Sequence, residues 1–295
     1  MALKRITEGL TSYILIIMTE KQLTLSNGSI AYWESNAKNK PTLVYIHGFR
    51  GTHHGLQLVI DKLPDIHSVA PDLPGFGESD MLPGEHNLEG YIEFVREFIE
   101  ALELPQPPIL VGHSFGSIIA SHYAARYGNT IEKLILINPI AAPALAGPKV
   151  VATKIAQAYY LIGSKLPDKL SHLWLGWAPI IKITSLLMTV TKDPQIRAYA
   201  HNQHKLHFSE FKHPRVVREA FTASVEHSVR DVAHQIEVES LLIAADKDQI
   251  TSLSDQQATA QQFKNARLHV IHDVGHLIHY ETPAEAAGAI TDFIS

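Results

Sequence analysis

The chain contains no cysteine, and this absence excludes two kinds of structure. Disulfide bonds and thiolate metal sites both require cysteine, so neither can stabilise this protein. Cysteine usage therefore does not indicate whether the protein resides in an oxidising or a reducing compartment.

An excess of basic residues is also missing. The 295 residues include 25 Lys and Arg against 30 Asp and Glu, which gives a formal net charge of -5, and no basic stripe stands out. Proteins that bind nucleic acids usually carry a positive face. The sequence therefore predicts no nucleic-acid partner.

No apolar run is long enough to span a bilayer. Residues 13–17 follow two basic residues as in a secretion signal, but the run is short, Glu8 interrupts its approach and no small-residue cleavage site follows. We therefore predict a cytoplasmic protein, a monomer or homodimer without stable membrane insertion, whose residues 1–18 form an N-terminal extension.

Short apolar runs typical of buried strands alternate with helical patterns along most of the chain. These runs cover residues 42–46, 68–70, 109–111, 133–137, 241–245 and 267–271. Such alternation predicts an α/β fold with a mostly parallel, doubly wound sheet and flanking helices. The rhythm is interrupted after the fourth run, so we predict a core domain of residues 19–140 and 229–295 and an inserted helical lid of residues 141–228, here called the lid segment.

The sequence Gly112-His113-Ser114-Phe115-Gly116 lies where a buried strand meets a helical pattern. A serine at such a strand-to-helix turn is raised above the sheet, beside the N-terminus of the helix, where free N–H groups favour a developing anion. We predict that Ser114 is a nucleophile. Because this motif also occurs by chance, the assignment of Ser114 as a nucleophile depends on residues elsewhere in the chain.

Three further strand ends carry residues that a serine nucleophile needs. His47-Gly48-Phe49, Asp248 and His276 each follow a predicted strand, and functional groups of parallel sheets gather at such ends. A serine requires a base and a third group that orients it, and the chain order is Ser, Asp, His. The backbone N–H groups of Phe49 and Phe115 are the candidate donors of an oxyanion hole.

Taken together, these motifs resemble the α/β-hydrolase fold superfamily, in its lidded branch of esterases and C–C hydrolases. Residues 72–79, Asp-Leu-Pro-Gly-Phe-Gly-Glu-Ser, add to the likeness. The resemblance implies Ser114 as nucleophile, Asp248 as acid and His276 as base, without a metal or cofactor. Related dehalogenases and epoxide hydrolases carry aspartate at the elbow, so serine disfavours both chemistries.

Two of these roles have rivals close by in the sequence. Asp246 competes with Asp248 for the acid, and His272 and His279 compete with His276 for the base. The resemblance implies Asp248, because the acid of that family follows the strand end at this spacing. His276 is favoured because His272 is assigned to the strand end and His279 to the following segment.

Other polar residues receive structural interpretations. Asp72 is expected to brace a glycine-rich loop, and His53 and His54 are expected at exposed positions. A metal site at His201, His204 and His207 is disfavoured because no carboxylate completes the set.

The substrate is less well defined by the sequence. Arg50 follows Phe49 and could bind a substrate carboxylate or form a structural salt bridge. Most apolar side chains of the lid segment are expected to pack on the core domain and the remainder to line a pocket, whereas an apolar surface for membrane contact is the less favoured interpretation. The other candidate substrate contacts are His113, Asn138, Tyr159, Trp174, Trp177 and Leu277.

The predicted activity is hydrolysis of a carboxylic ester or thioester of a small-to-medium apolar acyl or aromatic substrate through an acyl-enzyme. Two alternatives remain open. The same residues serve C–C bond hydrolysis of vinylogous diketones, where Arg50 would suit the substrate carboxylate. The fold also serves as a ligand-binding receptor with little turnover.

Overall fold

The structure is a computed structural model that describes residues 16–26, 28–37, 41–142 and 150–295. Most of the predicted N-terminal extension, residues 1–15, lies outside this range, as do Asn27 and residues 143–149 of the predicted lid segment.

Eight strands of the described residues form a single sheet. Their order across the sheet is β1-β2-β4-β3-β5-β6-β7-β8, in which the pairs β1–β2 and β2–β4 are antiparallel and the other five are parallel. The predicted mostly parallel sheet is therefore confirmed. The strands are β1 (Met18–Leu25), β2 (Gly28–Ser35), β3 (Thr42–Ile46), β4 (His67–Pro71), β5 (Ile109–His113), β6 (Lys133–Ile137), β7 (Ser240–Ala245) and β8 (Ala266–Ile271).

Helices connect the parallel strands and cover both faces of the sheet, as right-handed crossovers require. The core helices are α1 (Gln57–Ile60), α2 (Leu88–Ala101), α3 (Phe115–Tyr127), α9 (Leu253–Ala260), α10 (Ile278–Glu281) and α11 (Pro283–Ile294). Between β6 and β7 lie α4 (Val150–Lys165), α5 (Asp168–Leu175), α6 (Ala178–Met188), α7 (Pro194–His207) and α8 (Pro214–Glu226).

The side-chain alternation of the central strands builds two separate cores. On β3, Val44 and Ile46 face the core shared with α2 and α3, whereas Leu43 and Tyr45 face the core shared with α1 and α11. Residues on both faces are buried, which is why these strands are apolar throughout. This burial fixes the register of the strands and hence the edge at which their carboxyl ends meet.

The apolar residues of the lid segment do not pack as expected. The helices α5 and α6 bury Leu175 and Ile181 beside two serines, Ser171 and Ser185, and turn larger apolar groups outward. The prediction that most of these side chains pack on the core therefore holds only in part, because Tyr159, Tyr160 and Leu175 pack with the core cluster while others are exposed. Six of them are exposed, namely Leu161, Leu173, Trp174, Trp177, Leu186 and Leu187.

Candidate active site

The turn between β5 and α3 places Ser114 in a strained backbone conformation, with φ of 53° and ψ of -117°. A Cβ at Gly112 would collide with the backbone oxygen of Gly116, and a Cβ at Gly116 would collide with the carbonyl of Ile46. The glycines are therefore required for close packing of strand and helix, while the serine itself carries the unusual φ.

Ser114, His276 and Asp248 form one chain of hydrogen bonds. Ser114 Oγ lies 2.8 Å from His276 Nε2, and His276 Nδ1 lies 2.8 Å from Asp248 Oδ2. The rival Asp246 pairs instead with His272, at 3.1 Å. The structure thus brings together the three residues that the chain order suggested.

Asp248 is buried and accepts several hydrogen bonds. Its Oδ1 accepts the N–H groups of Ile250 (2.7 Å) and Thr251 (3.1 Å). Burial by itself would raise the pKa of this carboxyl, but the charge and hydrogen bond of His276 and these N–H groups hold it below its ordinary value. An ionised Asp248 keeps the proton of His276 on Nδ1, so Nε2 is free to accept the Ser114 proton.

Asn138 is placed differently from its predicted role as a substrate contact. It follows β6, between the strands that carry Ser114 and Asp248, and is fully buried with φ of 46°. Its amide nitrogen donates to Asp248 Oδ2 (3.0 Å) and to the carbonyl of Gly275 (3.3 Å). This corrects the expectation of a substrate contact. The side chain reaches Asp248 and the loop that carries His276, here called the base loop, because β6 lies beside β7 in the sheet and ends next to both.

The candidate oxyanion donors lie on either side of Ser114. Among the hydrogen bonds of the described residues, the backbone N–H groups of Phe49 and Phe115 have no acceptor. A Cβ at Gly48 would come within 3.2 Å of Ser114 Cβ, so the Phe49 loop runs directly past the serine. Both N–H groups are therefore available to a ligand at this point.

His47 holds that loop in place. Its Nδ1 donates to the carbonyl of Gly48 (2.8 Å), and its Nε2 accepts the N–H of Leu73 (2.8 Å). Burial lowers the pKa of His47, which keeps the ring neutral and able to donate and accept at once. In the sequence, His47 is recognisable only as part of the His47-Gly48-Phe49 motif, and no local pattern indicates this bracing role.

Arg50 fits neither of its predicted roles. It is only 3% exposed, and its guanidinium donates to the carbonyl of Leu175 at the end of α5 (2.9 Å) and to that of Phe208 after α7 (2.8 Å). No acidic side chain of the described residues pairs with it. Because the last carbonyls of a helix lack partners, a buried guanidinium is a suitable donor for them.

The aromatic candidates of the lid segment contact each other. Tyr159 Oη donates to the carbonyl of Trp174 (2.8 Å), and the Trp174 indole donates to the carbonyl of Tyr159 (3.2 Å). Trp177 is 53% exposed. No hydrogen bond or ring contact of the described residues joins them to Ser114 or His276.

Leu277 and His113, two further candidate substrate contacts, are buried next to His276. Leu277 packs with Ala200 and Tyr280. The His113 ring centroid lies 5.8 Å from that of His276, and burial lowers the pKa of His113 to about 3. Both side chains support the base loop from within the protein.

The expectation of an exposed His53 was wrong, whereas His54 is exposed as predicted. His53 is buried, stacks on Trp33 and bonds Asp72 Oδ1 through Nδ1 at 2.9 Å. Asp72 Oδ2 accepts the N–H of Glu78 (3.0 Å), so Asp72 braces its loop as predicted.

One contact between α10 and the lid segment could not be predicted from the sequence. The carboxylate of Glu281 on α10 accepts the N–H groups of Val190 (3.2 Å) and Thr191 (2.6 Å), just after α6. Burial raises the pKa of Glu281, while these donors oppose the shift. Helix α10, which directly follows the loop that carries His276, is therefore bonded to the lid segment.

Among the described residues, His122, His227 and Asp231 are grouped as metal ligands could be, with ligand atoms within 4.8 Å of one another. Both oxygens of Asp231 are already bonded to Ser228, and His122 Nε2 is 3.2 Å from the Ser228 carbonyl. These bonds cap the turn that follows α8 and account for the grouping.

The sheet, the elbow at Ser114 and the Ser–His–Asp chain together define a serine hydrolase of the α/β-hydrolase fold. The family model described as "Serine aminopeptidase, S33" matches residues 37–283, and the chain belongs to this family.

Curated relatives indicate the kind of serine hydrolase. Human "Monoacylglycerol lipase ABHD6" is 25% identical over 274 residues, covering 87% of this chain and 76% of the relative. "Lipase 3" of Moraxella sp. (strain TA144) is 24% identical over 270 residues, covering 90% and 82%. The chain is thus a serine hydrolase of the lipase and esterase kind.

A solved structure shares the fold. A hydrolase from Pseudomonas aeruginosa PA01 superposes with a TM-score of 0.76 at 24% identity, over 94% of this chain and 98% of the other.

Proposed function

We propose that the protein hydrolyses carboxylic esters of apolar acyl groups through an acyl-enzyme on Ser114. The observation that carries this proposal is the hydrogen-bonded chain from Ser114 Oγ through His276 to the buried Asp248, beside two unpaired N–H groups.

In the first half of the reaction, His276 Nε2 takes the proton of Ser114 as Oγ attacks the carbonyl carbon. The oxyanion then accepts from the N–H groups of Phe49 and Phe115. Collapse of this tetrahedral intermediate breaks the ester C–O bond, and His276 gives the proton to the leaving alcohol. Asp248 stabilises the transient imidazolium.

In the second half, His276 removes a proton from water as the water oxygen attacks the acyl carbon. Collapse then releases the carboxylic acid and returns that proton to Ser114 Oγ. The net reaction is ester plus water giving acid plus alcohol.

The proposed substrate carries one apolar acyl chain. Two relatives are named monoacylglycerol lipase and lipase. In addition, the ring of Phe49 contacts Tyr160 of α4 and Phe221 of α8, each with centroids 5.5 Å apart. These rings provide apolar surface beside the oxyanion loop, and residues 141–228 would act as the lid over it.

C–C bond hydrolysis loses its main support. That alternative relied on Arg50 as the partner of a substrate carboxylate, whereas Arg50 is committed to two backbone carbonyls. An ester is therefore the preferred substrate.

Turnover of p-nitrophenyl esters of increasing acyl length tests the proposal. Ser114→Ala should lower kcat/KM at least about a thousandfold, because the nucleophile is lost. Ser254→Ala, an exposed serine on α9, is the matched control and should behave as the parent. A fluorophosphonate should label the parent and the control but not Ser114→Ala.

Two further substrates make the test discriminating. A vinylogous diketone and an aminoacyl p-nitroanilide represent C–C hydrolysis and the peptidase activity in the family description. Faster turnover of either than of the best ester would contradict the proposal, as would ester turnover by Ser114→Ala at the parent rate.

A further inference from the structure

The exposed apolar side chains of this protein are concentrated in one part of it. Of fourteen large apolar residues that are exposed in the described part of the chain, twelve lie between Val151 and Leu206. Exposed apolar residues are ordinary when scattered, but a concentration of this kind marks an interaction surface.

The helices present these residues on their outer faces. On α6 the buried positions are Ile181 and Ser185, whereas Ile183, Leu186 and Leu187 point outward, with Leu187 66% exposed. On α5 the same arrangement leaves Leu173 69% exposed. A helix that only covered a core would place its largest apolar groups inward, so these exposed faces are available to a partner.

The same part of the chain is basic. Residues 150–207 contain seven Lys and Arg and two Asp, a formal net charge of +5, while the whole chain is -5. The remaining residues therefore sum to -10, and the overall charge conceals a strong asymmetry.

The lysines lie among the exposed apolar residues. On α4, Val151, Lys154, Ile155, Ile162 and Lys165 recur at spacings that share one helix face, and all five are exposed. On α6, Lys182 adjoins the outward residues in the same way. A lysine can lay its methylene stem along an apolar surface while its ammonium group reaches a charged layer above.

We propose that the outer faces of α4, α5 and α6 dock on an anionic lipid surface. Apolar side chains would enter the acyl region while the lysines meet the anionic headgroups. Two copies of this chain facing each other through these helices would instead oppose two positively charged faces, because residues 150–188 contain four Lys and one Asp, a formal net charge of +3. Among the described residues, none of the helices combines the length and apolar character that a bilayer span requires.

This inference rests on the proposed function, because a lipid ester would be presented at such a surface, but docking itself needs no hydrolysis. Flotation of Ser114→Ala protein with vesicles therefore measures docking alone. The probes are vesicles of phosphatidylcholine and of phosphatidylcholine mixed equally with phosphatidylglycerol.

Two sets of substitutions separate the contributions. Replacing Leu173, Ile183 and Leu187 by serine should reduce partitioning at least about tenfold, because the apolar contact is removed. Replacing Lys154, Lys169 and Lys182 by glutamine should cost about fivefold per charge on anionic vesicles and flatten the salt dependence. Ile250→Ser is the control, since Ile250 is exposed but lies outside the lid segment.

Docking is supported if binding is tighter to the anionic vesicles and both sets weaken it. Equal binding to both vesicle types, no binding to either, or an equal loss in Ile250→Ser would overturn the proposal. A dimer that the serine substitutions dissociate, measured by light scattering, would also overturn it and assign the surface to a second copy. Turnover of a soluble short-chain ester by the lid variants shows independently whether the proposed function holds.

Discussion

At the scale of single residues, we propose that Asn138 is a positioning residue for Asp248, the proposed acid of the active site. Its amide holds Asp248 and the carbonyl of Gly275 together, and its φ of 46° is one that Asn and Gly adopt most easily. We expect Asn138→Gly to retain the backbone but lower kcat about tenfold with little change in KM, because the buried Asp248 loses a donor. Steady-state kinetics on a soluble ester measures both parameters.

Asn138→Ala serves as the companion variant. It removes the same amide and also places a Cβ at positive φ, so it should match Asn138→Gly in kcat and be less stable. Parent-like kcat in both variants would show that Asn138 does not position Asp248.

At the scale of secondary structure elements, Arg50 connects the oxyanion loop to the ends of α5 and α7. The residue before it, Phe49, offers one of the two free N–H groups. We expect Arg50→Lys to lower the free energy of unfolding by about 1.5–3 kcal/mol, because lysine cannot reproduce the fork that donates to two carbonyls. Urea denaturation measures this loss, and amide hydrogen exchange should quicken near Leu175 and Phe208.

Arg197→Lys is the matched control, because within the described part of the chain Arg197 makes a single long hydrogen bond, 3.4 Å to the carbonyl of Thr191. The variant Arg50→Lys should also show lower kcat if the loop and the helices move together. Stability and exchange equal to those of Arg197→Lys would contradict the connection.

At the scale of the whole molecule, a row of buried histidines makes stability depend on pH. Burial lowers the pKa of His113 to about 3 and of His204 to about 4, and holds the pKa of His279 well below its usual value. The unfolded chain binds protons on these groups near pH 6.5, whereas the folded protein does not. The free energy of unfolding should therefore be greatest above pH 6.5 and decline toward pH 4, by about 1.4 kcal/mol per pH unit for each group.

Urea denaturation at several pH values between 7 and 4.5 tests this dependence. His204→Gln should show a shallower slope than the parent, whereas His269→Gln, at an exposed position, should not. The depressed pKa values of Asp72 and Asp248 add a separate loss below about pH 4, where carboxyls are protonated. An unchanged slope in His204→Gln would contradict the assignment.

The sequence by itself determined the sheet and the loops that meet at its carboxyl edge. Apolar runs and their spacing fix which segments become parallel strands, and parallel strands bring their following loops to one edge. Ser114, Asp248 and His276 could therefore be grouped before any coordinates were known. The choice of Asp248 over Asp246 depended in addition on the spacing found in the family that the sequence resembles.

Only the tertiary structure decided the partners of Arg50, Asn138 and His53, and the direction in which the lid helices face. Arg50 meets carbonyls 125 and 158 residues away, and Asn138 meets a carboxylate 110 residues away. No local pattern encodes such contacts, because they depend on how separate elements pack. The outward apolar faces of α4 to α6 likewise follow from packing, since helical periodicity shows that a face exists but not what it faces.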